Sequence, residues 1–66
     1  MKVSKLATQG YAKCVINGSR TLHDENVTDD MRAVPKVYRE AVIAWITDWC
    51  NKQGYFPETL EAILAR

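Results

Sequence analysis

The strongest pattern in the chain is the apolar spacing of residues 35–53, PKVYREAVIAWITDWCNKQ. Four large side chains of this segment fall on one line of a helix: Tyr38, Val42, Trp45 and Trp49. Pro35 suits the first helical position, where its missing N–H needs no partner, and Gly54 suits the left-handed position after the last turn. The pattern predicts a long helix over 35–53.

The apolar side of this helix is unusually broad. At about 100° per residue, its apolar positions cover an arc of roughly 200°. They are Val34, Tyr38, Ala41, Val42, Ile43, Trp45, Ile46, Trp49 and Cys50. A helix packed on one layer needs a stripe only a little over about 100° wide, so this helix must be covered from two directions. Any part left uncovered would form an apolar patch of the kind that binds proteins or a second copy. The residues predicted to form that interaction surface are Ile43, Trp45, Ile46, Trp49 and Cys50.

A second, shorter helix is predicted for residues 57–66. Pro57 again suits a first helical position, and Leu60, Ile63 and Leu64 follow at i, i+3 and i+4. With only a short link after Gly54, the two helices should form an αα-hairpin.

This helical hairpin resembles a helix-turn-helix motif over residues 46–66. The matching positions are Cys50, Gly54, Tyr55, Leu60 and Ile63. The resemblance implies that the second helix would enter a DNA groove. That helix carries Glu58 and Glu61, however, and carboxylates are repelled by the phosphates flanking a groove.

The N-terminal third allows two interpretations, and both depend on Asn17-Gly18. Asn-Gly is the most favourable two-residue hairpin loop, and it would join residues 11–16, YAKCVI, to residues 19–23, SRTLH. Alternatively, Gly18 would end a helix that starts at Ser4.

The hairpin is the favoured interpretation. Gly10 in mid-helix costs about 1 kcal/mol relative to alanine, and the Cys-Val-Ile run at 14–16 is a poor helix former. An isolated hairpin is not stable, so it must pack on the long helix.

The length of 66 residues allows one small globular domain, residues 1–66. A hydrophobic content of 47% and a charged content of 26% are typical of a folded protein. We predict an α+β fold in which an N-terminal β-hairpin packs on a long central helix, followed by a short C-terminal helix. The alternative is an all-α bundle of three or four helices. Residues 23–30, HDENVTDD, are predicted to form an acidic connector.

Catalytic and cofactor chemistry finds little support in the sequence. Two cysteines, Cys14 and Cys50, and one histidine, His23, do not make a four-ligand zinc pattern. The three glycines are dispersed, so there is no glycine-rich phosphate loop. We therefore expect no enzyme activity, no metal and no cofactor, and we expect both thiols to be buried and inert.

Membrane association and export are not expected either. The longest apolar run, residues 41–46, is far shorter than the roughly 20 residues of a membrane helix. The first residues have no apolar segment typical of a secretory signal, which predicts a cytoplasmic protein with reduced thiols.

The function predicted from these features is a non-catalytic protein-interaction module, by analogy an accessory or phage-type modulator of a host protein, which binds another protein or forms a homodimer. The alternative is a small nucleic-acid-binding regulator, although the net charge is only +1. Its basic face would consist of Lys2, Lys5, Lys13, Arg20, Arg32, Lys36 and Arg39. Tyr11 would be a stacking residue on that face.

Overall fold

The chain folds into three helices and a two-stranded sheet in a computed structural model that describes residues 3–66. The elements are α1 (Lys5–Asn17), β1 (Arg20–Thr21), a 3-10 turn (Asp24–Asn26), β2 (Arg32–Ala33), α2 (Lys36–Gln53) and α3 (Pro57–Leu64). The two strands are parallel, with Arg20 opposite Arg32 and Thr21 opposite Ala33. No helix within residues 3–66 is both long enough and apolar enough to span a membrane.

The predicted fold class is confirmed: a small sheet packs on a long helix, and a short C-terminal helix follows. The boundaries of α2 agree with the predicted range 35–53 to within one residue, because Pro35 is the N-cap rather than the first helical residue and the helix ends before Gly54. Gly54 has a left-handed backbone with φ 73°, and its N–H bonds to the carbonyl groups of Cys50 and Asn51. Pro57 is the first residue of α3, as predicted, and α3 contacts α2, but it ends at Leu64, two residues before the predicted end.

The strand assignment for residues 11–16 is wrong, because these residues form the second half of α1. The alternative interpretation, a helix ended by Gly18, is the one found. Gly18 has φ 80°, and its N–H bonds to the carbonyl groups of Cys14 and Val15. At the other end, the Ser4 hydroxyl accepts a hydrogen bond from the Ala7 N–H at 3.3 Å. Both ends of α1 are therefore capped.

Burial explains why α1 forms in spite of Gly10. Thr8, Ala12 and Val15 lie on one side of α1, where they are buried against the rest of the molecule. Gly10 lies on the exposed side, and a β-carbon placed there would meet nothing within 4 Å. Its penalty of about 1 kcal/mol is backbone entropy alone, and the caps and the buried side outweigh it.

The sheet also differs from a hairpin in its pairing. Residues 20–21 form a strand, as the sequence suggested, but their partner is residues 32–33, reached through the acidic connector. The pairing is extended by a hydrogen bond of 2.9 Å from the Val34 N–H to the Thr21 carbonyl. Parallel strands need such a crossover, and no two-residue loop can join them.

The core draws on all three helices and on residues next to both strands. Its buried apolar members are Ala12, Val15, Leu22, Val34, Val42, Ile46, Cys50 and Ile63. One polar residue, Thr21, is fully buried with them. The Thr21 hydroxyl donates to the Arg66 carbonyl at 2.9 Å and accepts from the His23 N–H at 3.1 Å, so its burial leaves no unpaired polar group.

Arg66 joins the two ends of the fold. Its carbonyl also accepts a hydrogen bond of 3.1 Å from the Leu22 N–H. Its guanidinium donates to the carbonyl groups of Val15 and Ile16, in the last turn of α1, where carbonyl groups lack helical partners. The positive charge of Arg66 also interacts favourably with the partial negative charge at the C-terminal end of α1.

Candidate protein-interaction surface

The side of α2 that faces the interior is a narrow line of small and medium-sized side chains. Val42, Ile46 and Cys50 lie one helical turn apart and are 0%, 0% and 2% exposed. Two residues predicted for the interaction surface, Ile46 and Cys50, therefore belong to the core. Neither can contact a partner while the protein stays folded.

The two tryptophans lie beside this line and are only half-buried. Trp45 and Trp49 are one turn apart, and their rings stack with centroids 6.5 Å apart and planes 13° apart. Tyr55 continues the row, edge-on to Trp49 at 5.3 Å, and is 47% exposed. We call Trp45, Trp49 and Tyr55 the aromatic face.

Ile43 is exposed but does not belong to the aromatic face. Its side chain is 40% exposed. Because it lies two residues from Trp45, the helix places the two side chains about 160° apart, on opposite sides of the buried line. The five predicted residues thus divide into a core pair, an aromatic pair and an isolated isoleucine.

Two grooves border the aromatic face. One, the α1–α2 groove, has a volume of about 420 Å³ and is lined by Val3, Lys5, Thr8, Gln9, Ala41 and Trp45. The other, the α3 groove, has a volume of about 450 Å³, and its apolar lining residues are Ile16, Trp49, Tyr55, Ala62 and Ile63. The aromatic face therefore forms a ridge between two concave, largely apolar regions, a shape suited to receiving projecting side chains.

The turn between α2 and α3 adds a second exposed feature, which the sequence reasoning missed. Tyr55, Phe56 and Pro57 are consecutive and all exposed, and Phe56 reaches 76%. Folding does not require a run of exposed apolar residues. The signal was present in the sequence as the run YFP between the glycine that ends one helix and the proline that starts the next. We call residues 55–57 the aromatic turn.

Hydrogen bonds hold the backbone of the aromatic turn. The Tyr55 N–H bonds to the Cys50 carbonyl at 3.1 Å. The Phe56 carbonyl accepts from the Thr59 N–H at 3.0 Å, which starts α3. With Gly54 in its left-handed conformation, Phe56 is presented by an ordered turn rather than by a free loop.

The residues of the alternative basic face are only partly free. Lys2 lies outside the described residues. Four others are exposed: Lys5, Lys13, Arg32 and Lys36. Arg20 donates to the Ala33 carbonyl at 3.2 Å, and its guanidinium lies 5.0 Å from the centre of the Tyr11 ring. Tyr11 also packs on Tyr38 at 5.1 Å, so this stacking candidate already has two partners.

Arg39 is occupied as well. It donates to the Val34 carbonyl at 3.0 Å and pairs with Asp24 at 2.6 Å. The hydrogen bond and the charge of Arg39 hold the pKa of the Asp24 carboxyl below its usual 3.8.

Acidic residues also lie among the arginines of the sheet. Arg20 and Arg32, paired across the strands, line a recess of about 280 Å³ together with Asp29 and Asp30. The charge of this region is mixed rather than uniformly positive.

The two thiols and the histidine lie among the described residues. Cys50 is buried and Cys14 half-buried, and both thiols are free. The His23 ring nitrogen Nε2 lies 2.9 Å from the Leu64 carbonyl. Among residues 3–66, no three His, Cys, Asp or Glu side chains are placed to hold a metal ion. No protein-family model, curated protein or solved structure matches the chain.

Proposed function

We propose that the protein is a non-catalytic interaction module that binds a protein partner through the aromatic face and the aromatic turn. In this role it resembles, by analogy, an accessory or phage-type modulator. The observation that carries the proposal is the row of aromatic side chains, Trp45, Trp49 and Tyr55, that stays half-exposed and leads into Phe56.

The exposed area supports this role. A buried aromatic side chain covers roughly 150–250 Å². At 47% and 76% exposure, Tyr55 and Phe56 leave about 100 Å² and about 150 Å² of contact area in two adjacent residues. This is a concentrated patch on a chain whose total accessible surface is 4755 Å². Covering it releases water from apolar surface and so favours association.

The residue types and their order support it further. Tryptophan and tyrosine are enriched among the residues that dominate binding energy. Aromatic side chains have few rotatable bonds, so fixing them in an interface costs little conformational entropy. Because the backbone of the aromatic turn is already hydrogen-bonded, little of the binding energy is spent on ordering it.

The test is affinity capture from the native host extract, with and without nuclease. The tag is placed at the N-terminus because the Arg66 carbonyl accepts a hydrogen bond from the buried Thr21 hydroxyl. Wild type is compared with the double variant Tyr55→Ser/Phe56→Ser. Val27→Ser is the matched control, since Val27 is 46% exposed but lies in the acidic connector. We expect a protein to be retained by wild type and control, and reduced at least about ten-fold with the double variant. Equal retention by all three would contradict the proposal.

A nucleic-acid-binding regulator is the second candidate, favoured by the exposed Lys5 and Lys13 on α1, a helix without acidic residues. Duplex DNA affinity should then fall steeply with salt and disappear in Lys5→Glu/Lys13→Glu. No binding at low salt would eliminate this candidate.

A further inference from the structure

We infer that the partner of this surface is a second copy of the chain, and that the aromatic turn of each copy docks into the α1–α2 groove of the other. The inference rests on the proposed function, because it names the occupant of the same surface. It predicts a closed dimer with two identical contacts related by a two-fold axis.

The aromatic turn has the properties of a docking projection. Phe56 is 76% exposed, and its neighbours Tyr55 and Pro57 are exposed as well. The flanking helices, α2 and α3, hold both ends of the turn. A projection of fixed backbone loses little freedom on docking.

The α1–α2 groove has the complementary chemistry. Its volume of about 420 Å³ is bounded by the Trp45 ring, Ala41 and Val3, and Val3 is itself 39% exposed. Thr8 and Gln9 supply polar edges. An apolar interior with a few polar groups at its edges is the usual composition of a pocket for an aromatic anchor.

Charge favours contact between the aromatic turn of one copy and the α1–α2 groove of the other. The aromatic turn leads directly into α3, whose exposed side carries Glu58 and Glu61. The groove carries the exposed Lys5, and α1 has no acidic residue in its sequence KLATQGYAKCVIN. Docking a turn into a groove therefore brings opposite charges together, whereas two turns or two grooves facing each other would bring like charges together. The net charge of +1 adds little repulsion between copies.

The spacing along α2 allows both contacts at once. Trp45 in the groove and Gly54 at the turn are separated by about 14 Å along the helix axis. When two molecules pair with their α2 helices antiparallel, each turn lies opposite the groove of the other. A stable interface of about 800 Å² per copy would cover about a sixth of the 4755 Å² surface of the chain.

The test is sedimentation equilibrium of the full chain, from about 1 µM to about 1 mM, which covers weak and strong dimers. We expect a monomer–dimer equilibrium, weakened at least about ten-fold by Phe56→Ser and unchanged by Val27→Ser. Far-UV circular dichroism, which reports helix content, should not change in either variant.

A charge swap tests the orientation. Lys5→Glu and Glu58→Lys should each weaken the dimer, because each brings two like charges together. The double variant Lys5→Glu/Glu58→Lys restores both the pairing and the net charge of the wild type, so its dimer should recover most of the lost affinity. Failure of the double variant to recover would overturn this arrangement.

Three further results would overturn the inference: a monomer at every concentration, assemblies larger than a dimer, or a dimer that Phe56→Ser leaves unchanged. If the protein is monomeric and yet retains a different protein in a manner that depends on the aromatic turn, the second-copy inference fails and the proposed function stands. If it is monomeric and retains nothing, both fail.

Discussion

Two sides of α2 lie next to each other and differ sharply in how they are covered. Val42, Ile46 and Cys50 are buried. Trp45 and Trp49 stay half-exposed, although their larger apolar area would give a larger free-energy gain on burial. The difference shows that a chain of this size can bury only the part of the apolar arc of α2 that α1, α3 and the sheet are able to cover. The remaining part of the apolar arc stays partly exposed, and it is this part that we propose contacts a partner.

The largest effect should come from the buried side of α2. Ile46 is fully buried, so Ile46→Ala removes apolar contacts and leaves a cavity, and we expect a loss of about 2–5 kcal/mol in the free energy of unfolding. Ile46→Val should lose only about 0.5–1.5 kcal/mol. Urea unfolding followed by tryptophan fluorescence measures both. A change near zero in Ile46→Ala would mean that this line is not the core.

The polar contacts at the edge of the core should come next. Thr21→Val keeps the shape of a fully buried side chain but leaves the His23 N–H without its acceptor, and it removes one of the two hydrogen bonds to the Arg66 carbonyl. Unpaired buried groups cost about 1–3 kcal/mol, which is the expected decrease in stability. Thermal and urea unfolding should agree on it. Wild-type stability in Thr21→Val would show that these groups reach water.

The glycines of α1 should give smaller effects of opposite sign. Gly18 has φ 80°, so Gly18→Ala should destabilise the protein by about 1 kcal/mol. Gly10 is helical, exposed and without neighbours, so Gly10→Ala should stabilise it by about 0.5–1 kcal/mol. A melting temperature below wild type for Gly18→Ala and above wild type for Gly10→Ala would agree with a helix over residues 5–17 that packs on α2. Both shifts in the same direction would contradict it.

The smallest effect concerns the ion pair between Asp24 and Arg39. The pKa of Asp24 is lowered in the folded state, so the pair stabilises the protein above pH 3.8 and loses its effect as the pH falls through the folded-state pKa. Asp24→Asn should therefore melt slightly below wild type at pH 7, and the two should converge below pH 3.8. A melting difference that persists at the lower pH would assign the effect to a cause other than ionisation.

The central and C-terminal helices could be predicted because the sequence marks their ends. Gly54 and Pro57 delimit α2 and α3, and the spacing of apolar residues agrees with them. In α1 the local signals conflict: Asn17-Gly18 fits both a hairpin loop and a helix end. Burial of Ala12 and Val15 against the rest of the molecule decided between them, and that contact joins residues far apart in sequence.

The exposed aromatic surface was harder to predict from the sequence than the helix that carries it. A broad apolar arc does not say which part the neighbouring elements will cover, so Ile46 and Cys50 could not be separated from Trp45 and Trp49. The strands, two residues each and parallel, are too short to show any alternation. Phe56 lies in the short link between two helices, where no spacing pattern indicates burial or exposure, and it is among the most exposed apolar residues described.

The most direct test of the account compares folding with association in one variant. Tyr55→Ser/Phe56→Ser removes the exposed aromatic turn and leaves the buried line of α2 intact. Paired urea unfolding at low protein concentration and sedimentation equilibrium should show a free energy of unfolding within about 1 kcal/mol of wild type, together with at least about a ten-fold loss of self-association. A large loss in the free energy of unfolding together with unchanged self-association would mean that these aromatic side chains stabilise the monomer instead of binding a partner.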